Sequence, residues 1–90
     1  MPPSPFRDTV LYMEHEPTTR EAIAAEVRAS LARSAQSALW LAERSGISKT
    51  SLSLKLKGQR SFSVEELLVV ADALGVDAAA LLPHPEPAAA

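Results

Sequence analysis

One stretch constrains this chain more than any other: residues 37–58, SALWLAERSGISKTSLSLKLKG. Gly46 divides it into two short helical runs, because glycine takes the left-handed conformation at a helix end more cheaply than a residue with a side chain. Ser37 and Ser48 stand at the N-cap of each run, and Gly58 stops the second. The first run turns Ala38, Leu41 and Ala42 inward. The second, over 49–57, turns Leu52 and Leu56 inward and carries lysines along an exposed side. Two short helices joined in this way form a helix-turn-helix, which places its second helix in the major groove of DNA.

The flanking sequence supplies a frame for that unit. Thr18 and Glu21 have capping-box spacing, and Ile23, Val27 and Leu31 then recur every fourth residue with Ala24 beside them. This predicts a helix from about Thr18 to between Arg33 and Gln36. A second capping box, Ser63 with Glu66, opens a helix that ends at Gly75, its inward face read as Val64, Leu67, Leu68, Ala71 and Leu74. Asp77 is read as the cap of a last short turn, 78–82, before Pro83. The expected fold class is all-α, a five-helix domain over residues 18–82. Residues 1–17, with prolines at 2, 3, 5 and 17, form an N-terminal extension. Its apolar patch, 6–13, fits a short strand, an arm packed on the body, or unstructured chain. Residues 83–90 form a loose tail.

Ninety residues suit one domain, and an alanine-rich apolar content with 4% aromatics favours closely packed helices over a β-sandwich. The absence of cysteine excludes a disulfide framework and a thiolate metal site. His15 and His84 lie far apart beside prolines and read as solvated residues, so no metal or cofactor is expected. No run approaches the ~20 apolar residues of a membrane span. The N-terminal MPPSP lacks the features of a signal peptide, which predicts a cytoplasmic, nucleoid-associated protein. The net charge of −2 hides a division: residues 20–60 hold eight Lys and Arg against three glutamates, whereas residues 61–90 hold five acids and no cation. Attraction to phosphate is local, so the basic half counts for more than the total. No phosphate-cradling glycine loop or nucleophile–base pair is visible, and an enzyme is not expected.

Ala42, Gly46, Ile47, Leu52 and Gly58, followed by VEELLVVADALGV over 64–76, resemble the Cro/C1-type helix-turn-helix proteins, also called the XRE family. The resemblance spans about residues 19–82. It implies a lambda-repressor-like domain acting as a sequence-specific, repressor-like transcriptional regulator on double-stranded DNA. Carried over by position, it implies that Lys49, Thr50 and Leu54, with Ser53 flanking, face base edges. It also implies that Gln36, Ser37, Lys57 and Arg60 contact phosphates. The chain departs from the family pattern at three places. Ala38 replaces a common glutamine, Lys55 occupies a usually apolar position, and Leu56 occupies a usually polar one.

Each assignment has a plainer counterpart. Lys49 and Lys55 also suit ordinary solvated surface, Leu54 a partner-facing position, and Ser37 a helix cap alone. Leu39 and Trp40 fall outside the inward stripe of their helix. Trp40 covers the core edge, docks with Phe6, Leu11 or Tyr12 of the N-terminal arm, or contacts a protein partner. Val69 and the alanine-rich last turn are candidates for a homodimer contact. The alternative function is an antitoxin that binds both its promoter and a protein partner, the latter through the N-terminal arm. A third is an interaction module that never touches DNA.

Overall fold

Each helix of the computed structural model, which describes residues 18–83, starts on a hydroxyl side chain. α1 (Thr19–Arg33) and α4 (Val64–Leu74) carry complete capping boxes on Thr18 with Glu21 and on Ser63 with Glu66. α2 (Ala38–Ser45) is capped by Ser37, and α3 (Lys49–Leu56) by Ser48. Such caps satisfy backbone N–H groups that have no partner within the helix, each worth roughly 1 kcal/mol.

The helix ends are as clearly marked. After α3, the Gly58 and Gln59 amides donate to the carbonyls of Lys55 and Leu54, a Schellman arrangement with Gly58 at φ 78°. α1 ends in the same way, but the left-handed residue is Ala35, at φ 56°. No glycine marks that end, which explains why the sequence leaves it open over four residues. Gly46 closes α2 at φ 79°.

The four helices converge on Val27, Leu31, Leu41, Leu52, Leu56, Leu67, Val70 and Leu81. α2 packs against α3 and α4, and α1 packs against α3. The expected fifth helix is instead a single 3-10 turn, Ala78–Leu81, and Asp77 gives it no side-chain cap. That turn still belongs to the core, because Leu81 is fully buried against α1 and α4.

Three inward assignments change. Ala38 is exposed at the first position of α2, leaving Leu41 and Ala42 as its buried pair. On α4 the buried face is Leu67, Val70 and Ala71, while Val64 and Leu68 are 74% and 56% exposed. The helix is apolar around most of its circumference, so periodicity alone does not choose a face. On α3 the buried arc is Leu52, Lys55 and Leu56, at i, i+3 and i+4, so Lys55 leaves the solvent-facing side that the sequence suggests. Residues 1–17 and 84–90, on which the arm, strand and tail readings fall, lie outside the described residues.

Candidate nucleic-acid interface

Burying Leu52 and Leu56 fixes the rotation of α3 and turns Lys49, Thr50, Ser53 and Lys57 to solvent. Leu54 is half-buried at the edge of that surface. The exposed set therefore offers two ammonium groups and two hydroxyls, with one apolar flank. Ammonium groups donate to guanine O6 and N7, hydroxyls both donate and accept, and an apolar edge suits a thymine methyl.

Two grooves border α3, one along its side and one at the turn that follows it. One, about 270 Å³, is lined by the apolar Leu39, Leu52 and Leu56 and by the cations Arg28, Lys49 and Lys57. The other is lined by Arg20, Lys55, Gln59, Arg60, Phe62 and Glu66. Lys57 and Arg60, which the sequence treats as one anchoring pair, thus line different grooves. Among the described residues neither enters an ion pair, and both are exposed.

The Ser37 hydroxyl accepts the Trp40 N–H at 3.0 Å, so it caps α2. The amides of Ala38 and Leu39 precede the intrahelical ladder at the positive end of the helix, the kind of place that accepts a phosphate. Gln36 is exposed, its backbone N–H closing the end of α1 on the Leu31 carbonyl.

Lys55 does not join this surface. Its ammonium lies 2.6 Å from Glu66 Oε2, and the lysine is only 8% exposed. The other Glu66 oxygen accepts the Ser63 N–H at 2.8 Å. The Lys55 hydrogen bond, then the Ser63 backbone hydrogen bond, hold the Glu66 carboxyl below its ordinary pKa of 4.5, against the opposing effect of burial. Residue types alone give no reason to pair positions eleven apart in different helices.

Arg28, to which the sequence assigns no role, also reaches α3. From α1 it donates through a guanidinium nitrogen to the Leu56 carbonyl in the last turn of α3. Trp40 packs against the edge of the core, with the Arg44 guanidinium 5.2 Å from its ring centre, whereas docking with Phe6, Leu11 or Tyr12 falls outside the described residues. Among the described residues no cluster of three or more metal-ligating side chains occurs, and no helix is long and apolar enough to cross a membrane.

Comparison with known proteins places this fold in a class, the helix-turn-helix transcriptional regulators that bind DNA. Within it, the chain belongs to the BetR domain family, whose sequence profile matches residues 8–90. It is also similar to a solved structure described as the clp gene regulator ClgR from C. glutamicum. The two share 36% identity and superpose with a TM-score of 0.70, over 73% of this chain and 86% of that one. No curated protein matches the chain.

Proposed function

We propose that this protein is a sequence-specific, repressor-like transcriptional regulator of the Cro/C1 (XRE) type, with α3 lying in the major groove. The observation that carries the reading is the rotation of α3. Its apolar arc is buried, while Lys49, Thr50, Ser53 and Lys57 share the exposed side beside the N-terminus of α2. Lys49, Thr50, Ser53 and Leu54 act toward base edges. Gln36, Ser37, Lys57 and Arg60 hold phosphates, which orient the domain without reading sequence. Lys57 lines the groove beside the exposed side of α3 and Arg60 follows in the turn after that helix, which suits phosphate contacts along and just past one inserted helix. Occupying a promoter in this way excludes other proteins from it, and repression follows from that exclusion.

Two copies acting together read two half-sites about one helical turn, ~34 Å, apart. The exposed Leu68 and Val69 on α4 support such a pairing. Working on DNA places the protein in the cytoplasm with the nucleoid. The antitoxin alternative depends on residues 1–17, which lie outside the described residues.

Selection of bound sequences from a random duplex pool, with affinity then titrated against salt, tests the proposal. The expected result is one short enriched motif, palindromic for a dimer, with affinity falling steeply as salt rises. No enriched motif and a flat salt response would falsify it.

A further inference from the structure

The groove between α2 and α3 is lined by three cations and by no carboxylate. Its third cation, Arg28, comes from α1, outside the helix-turn-helix pair. One of its guanidinium nitrogens donates to the Leu56 carbonyl, yet the residue remains exposed. A guanidinium presents five N–H donors in a planar fork, so this bond leaves donors available. The bond also ties Arg28 to the C-terminal end of α3, so an anion held there has a defined place relative to the reading helix.

Lys49 and Lys57 line the same groove, one in the first turn of α3 and one just past its last. The lining between the charges is apolar, and Leu39 contributes while 46% exposed. We propose that this groove seats the sugar–phosphate backbone of one DNA strand, with Arg28 as a phosphate anchor and Leu39 as an apolar contact to deoxyribose. The proposal rests on the DNA-binding reading above and adds Arg28 and Leu39 to it. A nucleic-acid backbone alternates an apolar sugar face with a single negative charge, and the groove combines the same two qualities. The N-terminal amides of α2 adjoin it at Ala38 and Leu39, which also line it.

The test uses the full chain and a duplex carrying the motif that the unmutated protein selects. Arg28→Gln keeps a side-chain N–H donor, on a shorter chain, but removes the charge. It is expected to reduce the salt slope of log K by about 0.9, so the loss of affinity between about 50 and 200 mM salt shrinks by about 3.5-fold. Arg28→Lys keeps the slope. Leu39→Ala weakens binding with the slope unchanged, because no counterion is involved. Unaltered affinity and slope in Arg28→Gln overturn the inference and leave DNA binding by α3 standing.

Failure of the unmutated protein to bind any duplex overturns the underlying reading instead. Should a variant melt early, nuclear magnetic resonance on the unmutated protein decides the matter. The Leu39 methyl and Arg28 side-chain N–H signals shift on adding duplex if the groove is occupied, and unmoved signals reject it.

Discussion

Lys55 and Glu66 meet at 2.6 Å and join the last turn of α3 to the first turn of α4. Glu66 is shared, since its second oxygen closes the capping box on Ser63. One carboxylate thereby starts a helix and neutralises a cation that the hydrophobic arc of α3 carries inward.

This pair gives the domain an acid sensitivity of known sign. Glu66 has its pKa lowered in the folded state, so its contribution is fully present above its ordinary value of 4.5. It is lost as pH falls below that value through the lowered pKa. Stability measured by urea unfolding from pH 7 to pH 3 should fall over this range, and Glu66→Gln should flatten part of the fall. Unchanged pH dependence in Glu66→Gln rejects the assignment.

Removing either partner should have unequal effects. Glu66→Ala leaves the Lys55 ammonium without its partner and is expected to cost about 2–3 kcal/mol, below the ~3–5 of a fully buried pair because the Glu66 side chain is 29% accessible. Lys55→Met fills the same space with an apolar chain and should be neutral or stabilising. Denaturant midpoints compare the two directly, and an equal loss in both variants contradicts this account.

The glycines that end α2 and α3 differ in what surrounds them. At Gly46 an added Cβ meets nothing within 4 Å, so Gly46→Ala pays only for its left-handed backbone, about 1–2 kcal/mol. At Gly58 the same atom comes 3.1 Å from Glu21 Cγ and 3.3 Å from Glu21 Cα, a backbone atom that gives way less easily. Thermal unfolding should therefore rank Gly58→Ala as the more destabilising, and the opposite order would show that α1 yields.

Ala35 stands where its counterparts are glycine, in the left-handed region at φ 56°. Relief of that strain exceeds the added freedom of the unfolded chain, so Ala35→Gly should stabilise the domain by about 0.5–1 kcal/mol. A drop in melting temperature counts against it.

The rotation of α4 is open to an equally simple comparison. Leu67→Ala removes a side chain 8% exposed and should cost about 2–4 kcal/mol, whereas Leu68→Ala, at 56% exposed, should stay within about 0.5. Similar losses at both positions would restore the face that periodicity suggests.

Much of the candidate site was legible before any tertiary contact was known. Ser37, Gly46, Ser48 and Gly58 bracket α2 and α3 through local hydrogen bonds and backbone preferences. Leu52 and Leu56 then set which side of α3 is free. The position of Arg28 escaped because it depends on a carbonyl twenty-eight residues away. Lys55 was ambiguous because its neighbours leave it at the edge of a narrow stripe, and the partner that admits it inside lies on another helix.

The sequence by itself therefore determined α1 to α4, their N-caps, the glycine stops of α2, α3 and α4, and the exposure of Lys49, Thr50, Ser53 and Lys57, but neither the end of α1 nor the shortening of the fifth helix to a single turn. What it determined follows from interactions within five residues. Tertiary structure decided the rest: the burial of Lys55 on Glu66, the rotation of apolar α4, the return of Leu81 to the core, and the division of the cations between two grooves. Those outcomes depend on which surfaces meet, and burial of charge or of one apolar face among several is settled only by the partner across the contact.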